Sequence, residues 1–331
     1  ASRGEAALEV VCAECRRLGA QVIGVPTDVT DPRDMQDLAD RAAAFAASHG
    51  GQIDVWVSNA GVGAAGAIED TPAAAHEQII RTNLLGYLLG ARAVVPYFKK
   101  AGKGTLIQVL SLGAWSPTPM ATSYTASKYG LRGFSEALRL ELAPWPHIHV
   151  CDIFPMVVDS PGFAHGANYT GKVIKPPPPR ADPRAVARAI VHAAHSPHRR
   201  STAVGVMATL SRIGNIVSPT LLRLGSSLFV RGYLRGAPPA PKTDGNLFRP
   251  STGNMSIDGG WRDRSRVPAV GMVAAGATLF VAAAWLLRRH GREGCTGIAC
   301  GTMACEPERV SFPSRAHARC NAIPAGRAAG Q

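Results

Sequence analysis

The sequence predicts an α/β fold built on a doubly wound parallel sheet, and three observations carry that prediction. Short apolar runs alternate with helix-length amphipathic segments. The run IDVWVSNAG, residues 53–61, is apolar on both faces and closed by a glycine turn, as a buried parallel strand is. Asp28, Asn59 and Ser111 each close a successive strand, and the carboxyl ends of strands are where such sheets hold ligands.

Residues 4–18 read as an amphipathic helix, and QVIGVPTDV at 21–29 reads as a strand. DPRDMQDLADRAAAFAASHG is a capped helix, with Asp31 as N-cap, Pro32 at the first helical position and Gly50 as stop. The strand at 53–61 follows, then one long helix over about 72–100 and the strand GTLIQVLS at 104–111. A helix carrying Tyr124 and Lys128 runs to about Pro144, and HIHVCDIFP is a further strand. DPRAVARAIVHAAHS at 182–196 is another helix, capped by Asp182 with Pro183 behind it.

Residues 1–237 therefore read as one domain, and 238–266, rich in Pro, Gly and Asn, as a linker. Residues 267–287 contain no charge and are flanked by arginines. As a helix this run would reach about 30 Å, the thickness of a bilayer core, so it is read as a transmembrane anchor. Residues 288–331 lack periodicity and are read as a disordered tail.

The net charge of +13 would suit nucleic acid or anionic lipid. No basic stripe interleaved with aromatics appears, so nucleic acid is not expected as a partner. Cys12 and Cys15 stand two residues apart within a helix without a second pair at zinc spacing, and His192, His195 and His198 end an exposed helix. No metal site is expected.

Tyr124 and Lys128 lie one helical turn apart, so the phenol and the ammonium share a face. Thirteen residues earlier stands Ser111; before it come TDVTD at 27–31, SNAG at 58–61, and Asn83 in IRTNLLGYLLGA. In this order and spacing the residues resemble the short-chain dehydrogenase/reductase family, over about 1–165 and more weakly to about 200.

The resemblance implies a Rossmann-type sheet and an oxidoreductase that moves hydride between NADP(H), with NAD the alternative, and a small-molecule carbonyl/alcohol pair. It implies Tyr124 as catalytic acid/base, with Lys128 lowering its pKa and holding the nicotinamide ribose. Ser111 would bond the substrate oxygen, and Asn83 would fix a water in the proton relay. Asp28 and Val29 would meet the adenine, and Asn59, Ala60 and Gly61 the adenosine ribose. Pro155, Val158 and Ser160 would line the nicotinamide, although Met156 stands where the family has glycine. Arg3 would meet the 2′-phosphate.

The family's first strand, its T-G-x3-G-x-G turn and its second strand have no counterpart here. The expectation is an N-terminally incomplete copy, short by roughly 30–40 residues, that binds no NADP(H) as given. The rival reading is a non-catalytic binding or scaffold protein that lost its phosphate loop. The anchor is consistent with an apolar substrate or with location alone, and its two basic flanks do not orient it; the catalytic domain is expected in the cytoplasm, and a homo-oligomer is an open alternative.

Overall fold

The computed structural model describes residues 1–251 and 256–262. The expected anchor at 267–287 and the expected tail at 288–331 lie outside the described residues. Among the described residues no helix is long and apolar enough to cross a membrane.

Helix α1 spans Glu5–Arg17, with Glu5 in its first turn and Arg16 and Arg17 in its last, both signs favourable to the helix dipole. Helix α2, Pro32–Ser48, begins where the Asp31 carboxylate accepts from the Arg33 amide at 2.7 Å. Strand β1 is Val55–Ser58, and a short β2 is Ala64–Ala65. The single helix expected over 72–100 runs without a break from Ala73 to Ala101, with a π turn at Arg81–Leu85 between its segments α3 (Ala73–Ile80) and α4 (Gly86–Ala101). α4 stops at Gly102, whose φ of 74° suits glycine.

Strand β3 is Gly104–Val109, buried along its whole length, and leads through a 3-10 turn at Leu112–Ala114 to α5, Thr122–Glu141. Strand β4 is Ile148–Pro155, followed by the one-turn α6 (Gly162–His165), β5 (Ala167–Asn168) and α7 (Pro183–His195). Strand β6 (Ser201–Val204) and helices α8 (Val206–Val217) and α9 (Pro219–Gly236) complete the fold; no element was expected over 201–236.

The main sheet runs β1-β3-β4-β6, all parallel, with Trp56 opposite Leu106 and Gln108 opposite Asp152. β2 and β5 form a separate parallel pair. One face of the sheet packs on α2 and α4 through Met35, Ala39, Val94, Phe98 and Leu106. Burial of a side chain such as Phe98 contributes about 1.5–3 kcal/mol. The other face packs on α7 through Ile107, Cys151, Ile153, Ala193 and Val204.

The strand expected at 21–29 does not form. Among the described residues its one ladder contact is an isolated bridge between Ser2 and Pro26, with the Thr27 amide on the Ser2 carbonyl at 3.0 Å. A strand exists only where a neighbour accepts its amides. Here β1 is the edge of the sheet, and Val55 and Val57 are 37% and 42% exposed.

The stretch expected as a linker returns to the domain in its described parts. Lys172 bridges Pro239 and Asn168 bridges Thr243, and Leu247 is fully buried against Val62, Ile79 and Tyr169. Farther on, the buried Asp159 carboxylate accepts from the Trp261 amide at 2.8 Å and from the Arg262 amide and Nε at 3.0 Å.

Candidate active site

The first polar centre grows from the end of β3. Ser111 follows that strand and caps the 3-10 turn, its Oγ accepting from the Gly113 amide at 3.0 Å. Space at Gly113 is tight, because a Cβ on it would come within 3.3 Å of the Tyr124 ring. Tyr124, in the first turns of α5, is half-buried, and its phenol contacts the Ser111 hydroxyl.

Lys128, one turn along, is 4% exposed, and its Nζ donates to the Val109 carbonyl at 3.1 Å. That carbonyl also accepts from Tyr87 Oη at 2.8 Å. The ammonium sits 5.2 Å from the Tyr87 ring centre and 5.8 Å from that of Tyr124, within cation–π reach of both. An ammonium carries three donors. One is on Val109, and the other two have no protein partner among the described residues.

Asn83 lies on the π turn and is fully buried. Its Oδ1 accepts from the Val62 amide at 2.8 Å, and its Nδ2 donates to the Val62 carbonyl at 2.8 Å and to Ser127 Oγ at 3.3 Å. Ser127 in turn donates to the Tyr124 carbonyl at 2.7 Å. Asn83 thus ties the loop after β1 to the helix that carries Tyr124 and Lys128.

The expected electrostatics do not hold in this arrangement. The ammonium was expected to lower the phenol's pKa. Instead burial pushes the Tyr124 phenol up, only partly opposed by the Ser111 hydroxyl. Burial also pulls the Lys128 ammonium down to about 7. Low dielectric disfavours the charged form of both groups.

The other expected residues divide into two groups. Asn59, Ala60 and Gly61 are exposed at the end of β1. Asp28 Oδ1 accepts from Thr30 N and Oγ1 at 2.9 and 2.8 Å, and Val29 packs against Gly86, where a Cβ would lie 2.9 Å away. Pro155 ends β4 in the core, Val158 bridges Ala181, and the Ser160 amide bonds the Val158 carbonyl at 2.9 Å. Arg3 is turned elsewhere: its guanidinium donates to the carbonyls of Asn246 at 2.9 Å and Leu247 at 3.3 Å.

These residues fit a nicotinamide dinucleotide at its ribose–nicotinamide end, where a buried ammonium keeps unpartnered donors beside a phenol and a serine. At the 2′-phosphate end Arg3 is already engaged by backbone. Sequence reasoning missed Tyr87 and Ser127. Tyr87 stands four residues after Asn83, one turn on, which is the signal that could have found it. A separate pocket of 420 Å³, lined by His76, Glu77, Ile80, Arg81, Leu85 and Ser123, includes none of the expected residues. Among the described residues no three His, Cys, Asp or Glu side chains are grouped to hold a metal ion.

Comparison with known proteins identifies the family. The family described as short chain dehydrogenase matches residues 1–168. An uncharacterized oxidoreductase of Bacillus subtilis, YxnA, is 30% identical over 277 residues, 80% of this chain and 75% of that protein. The 3-ketodihydrosphingosine reductase of Bacteroides thetaiotaomicron is 39% identical over 108 residues, 33% of this chain; the match spans only 40% of that relative's length. The crystal structure of a short chain dehydrogenase from Burkholderia cenocepacia in complex with NADP superposes with a TM-score of 0.52 at 25% identity. That superposition covers 64% of this chain and 81% of that one.

Proposed function

We propose a function from one premise: the chain belongs to the short-chain dehydrogenase/reductase family. It acts as an NAD(P)-dependent oxidoreductase on a carbonyl/alcohol pair, with NADP(H) as the cofactor and an apolar molecule as the substrate. The meeting of Ser111, Tyr124 and Lys128 at the end of β3 carries this reading. NADP in the Burkholderia relative supports the cofactor. The name of the Bacteroides relative, a reductase of a long-chain ketone, supports an apolar substrate.

When bound, the nicotinamide supplies or accepts the hydride. The chain's own residues do the rest. Ser111 Oγ orients the substrate oxygen and donates to it as charge builds there. Tyr124 Oη gives that oxygen its proton, or takes it in the reverse direction. A phenol held above its ordinary pKa keeps its proton at neutral pH, which suits the reductive direction. The free donors of Lys128 hold ribose hydroxyls, and Asn83 fixes the backbone of the loop that faces them.

We further place the protein at a membrane through residues 267–287, with the catalytic domain on the cytoplasmic side. High salt and alkaline carbonate should leave it in the membrane fraction, and detergent should release it. The test of the reaction is Tyr124→Phe in protein expressed from its full reading frame. NADPH-dependent carbonyl reduction should fall by about 10²–10⁴-fold while NADPH affinity holds. Undiminished turnover would remove Tyr124 from the mechanism.

A further inference from the structure

Helix α8 wears its faces reversed. The side chains it buries are small, Ala208, Ser211 and Gly214. Its large aliphatics point outward: Val206, Leu210, Ile213, Ile216 and Val217 are each 44–71% exposed. Positions 206, 210, 213 and 217 follow the i, i+4, i+7, i+11 spacing of a single helical stripe. Helix α9 packs onto it with Leu222 over Gly214, and also exposes Leu224, Leu228 and Phe229. On the face that carries Leu224 and Leu228, the i+7 and i+11 positions are Arg231 and Arg235, both exposed.

A continuous apolar exposure on a folded domain marks a contact surface. Charge identifies the partner. All charged side chains in 206–236 are arginines, Arg212, Arg223, Arg231 and Arg235, and residues 183–243 contain no Asp or Glu. Outward aliphatics and phenylalanine with arginines beside them, and no acid, is the composition of a segment lying in the headgroup region of an anionic bilayer. A second copy of this surface would set arginine against arginine, and the uncharged run 267–287 would leave the arginines without counter-charge.

We propose that α8 and α9 form a docking surface for an anionic phospholipid bilayer. It does not depend on the hydride-transfer reading, and it is a contact separate from any made by 267–287. The pair is tied to the loop after Ser111, through Asn215 Nδ2 on the Trp115 carbonyl at 2.7 Å and Ser226 Oγ on the Pro117 carbonyl at 2.8 Å. Docking therefore brings the wall beside Ser111 to the lipid surface, where an apolar molecule partitions.

The test uses the full chain and vesicles of phosphatidylcholine and phosphatidylserine doped with a photoactivatable phosphatidylserine. Adducts are mapped by peptide mass spectrometry. The expected result is labelling within 206–236, lost on phosphatidylcholine alone and reduced by Arg223→Gln, Arg231→Gln and Arg235→Gln. At limiting phosphatidylserine the reduction should be about fivefold for each arginine. Ile213→Glu with Leu228→Glu should abolish that labelling while the melting temperature stays at the parent's, because both positions are exposed. No adduct in 206–236, or labelling indifferent to lipid charge and to the arginines, would overturn the proposal. So would a doubled native mass that Ile213→Glu reverts to monomer, or cross-links between 206–236 and 267–287 formed without vesicles.

Discussion

Helices α5 and α8 each follow the carboxyl end of a strand, and each departs from the rule that apolar side chains go in and charged ones out. α5 turns a cation inward, with Lys128 4% exposed. α8 turns aliphatics outward over an inner face of alanine, serine and glycine. Neither arrangement helps the fold: a buried ammonium costs desolvation, and an exposed stripe forgoes burial. The difference lies in what makes up the loss. α5's cation is held within the chain, by the Val109 carbonyl and two aromatic rings, whereas α8's stripe finds no match among the described residues.

The sharpest way to break the comparison is at α5. Tyr124→Phe should lower kcat by about 10²–10⁴-fold, the worth of a positioned proton donor. A steady-state assay of NADPH oxidation checks it, and α8 variants in detergent should leave kcat at the parent value.

Lys128→Met sharpens it next. Activity should fall at least tenfold, yet the melting temperature at pH 7 should hold or rise, because the variant removes a buried charge while Tyr87 Oη still satisfies the Val109 carbonyl. The parent carries the pH dependence. Lys128 titrates near 7 when folded and near its ordinary 10.5 when unfolded. Between those values the unfolded chain binds more protons, so this group's contribution to stability rises as pH climbs from 7 toward 10. Melting curves across that range should show a rise in the parent that is missing in Lys128→Met. A parent and variant with the same slope would mean that Lys128 is not buried as a titrating group.

Asn83→Ala should cost about 1–3 kcal/mol for each Val62 backbone group it strands, read from denaturant melts. The smallest effect belongs to α8. Ile213→Gln and Leu228→Gln should each change stability by no more than about 0.5 kcal/mol, as exposed substitutions do. A loss of several kcal/mol at either site would mean that the stripe is covered by the chain itself.

Much of the site could be read from the sequence, because its chemistry depends on short-range spacing. Tyr124 and Lys128 are four apart on a helix whose existence is well marked, and Ser111 and Asn59 end strands that do form. What escaped depends on long-range partners. Residues 21–29 have the composition of a strand, but a strand is a property of a pair, and among the described residues Pro26 bridges Ser2 alone. The direction of the Tyr124 shift follows from how deeply α5 is covered, which no i, i+4 spacing states. The period of α8 reveals an apolar stripe without saying which way it faces, and the conclusion comes from which residues are buried opposite it. Arg3 illustrates the same limit, since nothing near it in sequence announces Asn246 and Leu247.

The π turn at Arg81–Leu85 has a consequence for how this gene tolerates insertion and deletion. A π turn is an α-helix with one residue too many, and such bulges gather at functional sites because the surplus residue re-aims its neighbours. Removing one codon within 81–85 would let α3 and α4 fuse into a regular helix that is better hydrogen-bonded locally. Because the surplus residue is absorbed within the turn, α3 and α4 would keep their register on the fold and only the residues inside 81–85 would be re-aimed. Asn83 would swing off Val62, while Tyr87 would stay on Val109. A one-codon deletion here should therefore yield a protein that still folds and is catalytically silent, whereas a one-codon deletion in the loop at 49–52 should spare activity.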